Sequence, residues 1–141
     1  MNIRVATERD TAFLKSLLAQ LGYPGLDDEE VRGKIAHYSQ DGYALLVADT
    51  GMEVVGFISL HWFDIFHSPG KIGRISAFCV DDRVRGQGIG LALLTEAEDF
   101  FKVKGCVKIE VTSNERRTLT HQFYLNRGYV QHSKRFVKTA F

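Results

Sequence analysis

Apolar residues recur along the chain at two periods, and the changes of period mark the elements. Ile3 and Val5 alternate with polar neighbours and predict a short first strand. Thr7 is a favoured N-cap, and Phe13, Leu14, Leu17, Leu18 and Leu21 come next at helical spacing until Gly22 and Pro24 stop the run. Asp27 or Asp28 can cap a second helix that carries Val31, Ile35 and Tyr38 on one side. Ser39 to Gly42 reads as a turn, and the pattern then shifts to strands at Tyr43 to Ala48, Val54 to Phe63 and Ile72 to Val80. The turns between them, Asp49-Thr50-Gly51 and His67-Ser68-Pro69-Gly70, predict an antiparallel meander.

A glycine-rich loop occupies residues 85 to 90, then Leu91, Leu94, Ala97, Glu98 and Phe101 predict a helix with an apolar stripe, ended by Gly105. Val107 to Val111 is a strand, and Leu119, Phe123 and Tyr124 lie on a helix closed by Gly128. Tyr129 to Gln131 and Arg135 to Thr139 read as closing strands. The order β-α-α-β-β-β-α-β-α-β-β predicts an α+β fold: one central mixed, mostly antiparallel sheet flanked by helices. With no repeat, low-complexity run or linker, a single domain over residues 1–141 is expected.

Charge narrows the function. The 18 Lys and Arg balance 17 Asp and Glu, a net charge of +1, and no basic stripe stands out, which disfavours a nucleic-acid partner. No apolar run approaches a membrane span, and the start Met1-Asn2-Ile3-Arg4 is not followed by a signal-like stretch. Cys79 and Cys106 form no CxxC pair and fit a reducing, cytoplasmic setting.

The main chemical signal is Arg85-Gly86-Gln87-Gly88-Ile89-Gly90, between a strand and a helix. Glycine permits positive φ and lets the backbone approach a ligand closely. A helix N-terminus adds unpaired N–H groups and the positive end of its dipole, a place suited to a diphosphate. Arg83 and Arg85 are expected to add positive charge. The spacing is not the GxGxxG of dinucleotide folds, and no Gly-Lys-Ser/Thr of a P-loop is present.

This loop resembles the signature of the GNAT superfamily of N-acetyltransferases: Arg or Gln, two residues, Gly, one residue, then Gly or Ala. The run Phe78-Cys79-Val80-Asp81-Asp82-Arg83-Val84 leading into it resembles the family's fourth strand and following turn. Phe123-Tyr124-Leu125-Asn126-Arg127-Gly128-Tyr129 resembles the family's Phe-Tyr landmark before a Gly-aromatic pair. A narrower likeness is to aminoalkylphosphonate N-acetyltransferases, carried by Leu60-His61-Trp62-Phe63, Phe66-His67, Thr112-Ser113-Asn114, His121-Gln122-Phe123-Tyr124 and Arg135-Phe136-Val137-Lys138. The chain departs from that group at Arg74 and Ala77, where the group has acidic residues.

The resemblance implies acetyl-CoA as co-substrate, with its pyrophosphate on the backbone of Arg85, Gly86, Gln87, Gly88, Ile89 and Gly90. It implies direct acetyl transfer to a primary amine, with Tyr124 protonating the leaving thiolate; a phenol of pKa about 10 holds that proton at neutral pH. Packing is the alternative role for Tyr124. The resemblance also implies that the third meander strand splays from the strand at Val107 to Val111, so that the backbone of Phe78, Cys79 and Val80 meets the pantetheine arm and the oxyanion. Asn114 either bonds the cofactor or caps the next helix. His121, one helical turn before Tyr124, either accepts a proton through water or orients the helix. Arg74 is a candidate grip for an acceptor carboxylate or phosphonate, and Trp62 walls the same cleft or fills the core. His61, Asp64 and His67, at a strand end and its turn, mark a substrate mouth; His and Asp are suitable metal ligands, but a solvated turn is the favoured reading and no metal is expected. The acceptor is a small-molecule amine, with a protein or peptide amine as the second choice and a non-catalytic acyl-CoA sensor as the third. The family's habits add a homodimer to the expectations.

Overall fold

Arg4 sits in the first strand, β1 (Asn2–Val5), and fastens it to two distant carboxylates. Its guanidinium donates to both oxygens of Asp10 at 2.8 Å and, through Nε, to Asp49 at 2.9 Å. Burial pushes the Asp10 carboxyl up, but the bonds from Arg4 and from the Thr7 N–H outweigh it and hold the pKa below its ordinary value. Asp10 ends a 3₁₀ turn, Glu8–Asp10, that leads into α1 (Thr11–Leu21). Gly22 closes α1 at φ 114°, the left-handed position glycine tolerates. Asp27 caps α2 (Asp28–His37) reciprocally: Glu30 N–H donates to its side chain at 2.8 Å, and the Glu30 carboxylate accepts from Asp27 N–H at 3.1 Å.

In the computed structural model, which describes residues 1–112, 118–132 and 135–139, the meander comprises β2 (Tyr43–Asp49), β3 (Val54–Asp64) and β4 (Lys71–Val80). After β4 come α3 (Ile89–Val103) and β5 (Cys106–Val111). The sheet order is β1-β2-β3-β4-β5, antiparallel up to β4, while β5 pairs with β4 in parallel. A mixed, mostly antiparallel sheet with helices is the α+β architecture expected.

The period-two alternation of β3 sorts the two faces. Phe57 joins Leu14 and Leu17 of α1, Val31 and Ile35 of α2, and Leu45, Val47 and Cys79 of the sheet in one buried cluster. Gly56, Ile58, Leu60 and Trp62 alternate to the other face, where α3 lies. Two glycines let α3 seat there. A Cβ on Gly56 would stand 3.0 Å from Leu93, and one on Gly73 would stand 2.5 Å from the Phe101 ring. The buried stripe of α3 is Ile89, Leu93, Leu94, Ala97 and Phe101. Leu91, expected in the stripe, is exposed, because the helix face set by Ile89 returns at 93, 97 and 101.

The chain divides into two compact units, Met1–Val111 and Thr112–Phe141. In the second, α4 (Thr118–Asn126) ends in a left-handed Gly128, with Gly128 N–H bonded to Leu125 C=O and Tyr129 N–H to Tyr124 C=O. The closing strands expected at Tyr129 to Gln131 and Arg135 to Thr139 are not formed: residues 129–132 and 135–139 carry no strand. Val130, Phe136 and Val137 are exposed there. Strand-favouring residues make a strand only where a partner edge packs against them.

Phe101 is fully buried and leaves no room at Gly73. Gly73→Ala is expected to destabilise the protein by about 1–3 kcal/mol through overpacking. A fall in the urea midpoint at unchanged m-value checks it.

Candidate active site

The glycine loop is built on a buried carboxylate. Asp81 comes directly after β4, and its side chain accepts from Arg83 N–H at 3.0 Å, Arg83 Nε at 3.2 Å and Arg83 Nη2 at 2.7 Å. The Arg83 bonds lower its pKa from 3.8 to about 2, against the opposing pull of burial. Arg83 also pairs with Glu53 at 2.8 Å. Arg85 donates to Val80 C=O at 3.1 Å and pairs with Asp82 at 2.8 Å. Both arginines expected to lend charge are therefore matched by carboxylates of the same turn or its neighbour. Gln20 of α1 receives Asp82 N–H at 2.9 Å and so ties the turn to the first helix.

With the side-chain charges matched, the backbone is left to face an anion. Gly86 and Gly88 have φ of 80° and 82°, and a Cβ on either would meet no heavy atom within 4 Å. Residues 85–88 are exposed, and Ile89, buried under the loop, anchors it. Gly88 caps α3, whose first internal bond is Ala92 N–H to Gly88 C=O. The N–H groups of the first helical turn thus lack intrahelical partners and point out of the helix end with its positive dipole. This open cradle fits a diphosphate.

Next to the loop, β4 outlasts its partner. The β4–β5 register ends at Ile75 with Val111, and β4 continues through Val80. A bulge falls at the same place: Leu60 pairs with Ile75 and Ser59 with Ala77, which leaves Ser76 as the extra residue. Cys79 turns its thiol to Leu17 C=O at 3.5 Å, so its side chain belongs to the core. Phe78 and Val80 are half-buried.

A cleft of about 490 Å³ opens between α2 and the sheet, lined by Glu30, Lys34, His37, Tyr38, Tyr43 and His61 among others. Its volume suits a small ligand. Tyr43 and His61 stack in parallel with ring centres 4.3 Å apart, and His37 packs on Tyr43 at 4.6 Å. Burial, then the charges of Arg74 and His37, push the His61 pKa below its ordinary value, so the imidazole is neutral at pH 7. Arg74 is opposite His61 in the β3–β4 register, lies over the Phe63 ring and pairs with Glu110 at 2.8 Å. That bond lowers the Glu110 pKa against burial.

Some of the expected residues come together and others do not. Gly86, Gln87, Gly88, Ile89 and Gly90 form the loop and helix start. Arg74 and His61 share a sheet face. Trp62 does not join them: it is buried on the α3 face, tilted against Phe100 at 5.4 Å with Lys104 over its ring, as strand alternation dictates. Asp64 pairs with Lys71 and His67 lies exposed in the turn, so the expected mouth does not gather. Among the described residues no group of three His, Cys, Asp or Glu could hold a metal ion, and no helix is long and apolar enough to cross a membrane. Tyr124 on α4 is buried, 5.6 Å from the rings of both Phe123 and Tyr129; His121 on the same helix is half-buried. Asn114 lies outside the described residues. Sequence reasoning missed His37, Tyr43 and the α2 wall. Glu30, Lys34 and His37 do recur at helical spacing, but a polar helix face ordinarily reads as solvent-facing.

The family model described as the acetyltransferase (GNAT) family matches residues 11–129. The chain is similar to the aminoalkylphosphonate N-acetyltransferase of Salmonella typhimurium, 34% identical over 145 aligned positions that span 96% of this chain and 89% of that one. Among solved structures it resembles glucosamine-6-phosphate N-acetyltransferase from Arabidopsis thaliana, with TM-score 0.83, 25% identity, and 98% and 97% of the two chains covered. An aminoglycoside N-acetyltransferase in complex with CoA shares the fold, with TM-score 0.86 and 16% identity over 99% of this chain and 93% of that one.

Because the Asp81 pKa is lower in the fold than in the unfolded chain, its stabilisation is complete above about pH 4 and drains away as pH falls toward 2. Acid unfolding of Asp81→Asn is expected to show a shallower dependence on pH across that window, and a lower stability than the parent at pH 7. Urea titrations at stepped pH check both.

Proposed function

The chain belongs to the GNAT family and is an N-acetyltransferase, and on that premise we propose that it transfers acetyl directly from acetyl-CoA to the primary amine of a small molecule that also bears an acidic group. The observation that carries the cofactor half is the loop at residues 85–90. Its arginines are matched by acids, its glycines are left-handed with open space beyond them, and it runs into a helix start. Such a loop binds anions by main-chain N–H groups. The acidic group of the acceptor is supported by Lys34 on the wall of the α2 cleft and by the substrate in the name of the Salmonella relative.

Each residue then has a task. The backbone of residues 85–90 holds the pyrophosphate, and Asn114 bonds the cofactor nearer the thioester. The backbone of Phe78, Cys79 and Val80, on the stretch of β4 beyond the β5 ladder, receives the pantetheine arm and donates to the oxyanion that forms when the amine attacks. His61, neutral and lining the cleft, takes a proton from the amine. His121 is the second imidazole available to accept it through water. Tyr124 gives its phenolic proton to the departing thiolate. Acetyl-CoA supplies an activated acyl group, and this chain supplies orientation and proton traffic.

Calorimetry with CoA and a thiol-release assay with acetyl-CoA test the reading, using aminophosphonates, amino acids, polyamines and peptides as acceptors. Binding of CoA and turnover with an acidic small amine are expected; a folded protein that ignores CoA overturns it. Tyr124→Phe is expected to keep CoA affinity and to cut kcat about 10²- to 10⁴-fold, the range of general-acid assistance.

A further inference from the structure

A line of three hydroxyls runs from the α2 cleft to the β4 bulge. Tyr38 Oη lies 3.1 Å from Ser76 Oγ, Ser76 Oγ lies 2.8 Å from Ser59 Oγ, and Ser59 Oγ lies 3.3 Å from the carbonyl oxygen of Ala77. A hydroxyl has one proton to give. Ser59 reaches the Ala77 carbonyl, which only accepts, and in the two hydroxyl–hydroxyl contacts either oxygen can be the donor. With the Ser59 proton on that carbonyl, Ser76 donates to Ser59 and Tyr38 to Ser76, and every proton of the line points inward, toward the sheet backbone.

The outer end is consequently an acceptor. Tyr38 retains its oxygen lone pairs, and Ser76 has a second lone pair beyond the one that receives Tyr38. Ser59 is buried, whereas Ser76 is exposed and Tyr38 lines the cleft. Ser76 is also the residue immediately after Ile75, where β5 ceases to run beside β4. Ser76 lies two residues beyond Arg74 and so on the face of His61 and Ser59, and the bulge brings Ala77 round to that face as well. Two oxygen acceptors with their own protons already committed suit a group that only donates.

We propose that Tyr38 and Ser76 form the subsite for the acceptor's primary amine, taking its N–H donors on the Tyr38 and Ser76 oxygens, with Ser59 as the residue that fixes their polarity. The proposal rests on the acetyltransferase reading and deepens it. A neutral amine held by two N–H bonds keeps its nitrogen lone pair free for attack. A group that must receive a hydrogen bond at this point, such as the carbonyl of an amide, meets no donor from this line. The alternative is a bolt that fastens the end of α2 to β4, and it makes a different prediction.

The test compares the parent enzyme with Ser76→Ala, Ser76→Thr and Tyr38→Phe, using whichever aminophosphonate, amino acid, polyamine or peptide the parent acetylates fastest. KM for that amine is expected to rise about 10- to 100-fold in Ser76→Ala and in Tyr38→Phe, as for a lost bond to a charged or strongly polar partner. KM for acetyl-CoA is expected to stay put, and Ser76→Thr, which keeps the hydroxyl on a strand-compatible side chain, is expected to restore amine binding. Amine KM unmoved in variants whose melting temperature has dropped would establish the bolt and overturn the subsite. So would amine and acetyl-CoA KM values that rise together. Should Ser76→Ala not fold, Tyr38→Phe, which removes a single oxygen from a ring otherwise packed on Tyr43, decides alone. A parent enzyme that acetylates no amine of these four classes sinks the acetyltransferase reading and the subsite with it, a result distinct from normal turnover with an unmoved KM.

Discussion

The parallel ladder between β4 and β5 holds from Lys71 to Ile75 and stops at Val111, while β4 runs on to Val80. Two constraints fix that point. Gly73 must stay bare so that Phe101 can press on the sheet, which holds α3 and the start of β5 at this level. Ser76 then enters as an extra residue, and a bulge increases the local twist of its strand. The strand beyond leads through Asp81 to the glycine loop, so the end of one ladder sets the position of both the loop and the cleft face of β4.

The electrostatics obey a pattern that the residue types do not announce. Arg83 and Arg85 are taken up by Asp81, Asp82 and Glu53, and Arg74 by Glu110. Matched side-chain charges keep the turn in shape, and Asp81, with its pKa lowered to about 2, is the pivot of the set. The attraction left for a phosphate comes from oriented N–H groups, which need no rotamer to be frozen when the ligand arrives. In the hydroxyl line, the proposed polarity rests likewise on a partner outside the cleft, the Ala77 carbonyl that Ser59 reaches.

Much of the fold was legible along the chain because its elements carry strong local signals. Asp27 with Glu30 wrote the start of α2, Gly22 and Gly128 wrote two helix ends, and the apolar runs and turn residues of 43–80 wrote the meander. The tail misled: Tyr129 to Gln131 and Arg135 to Thr139 read as closing strands, yet pairing is a property of two segments, and no strand forms among the described residues there. Trp62 was ambiguous for a related reason. A strand states which residues share a face but not which helix covers it, and Trp62 fell on the side of α3, away from Arg74.

By itself, then, the sequence determined the order of elements, the α+β class and the phosphate-type loop, since spacing, caps and glycines act within a few residues of one another. Only the tertiary structure decided which charges cancel, which histidine is neutral in a cleft, and that Tyr38, Ser59 and Ser76 meet at a bulge. Those facts join residues up to 45 positions apart, and hydrogen bonding, burial and charge pairing exist only once such distant groups share a place in space.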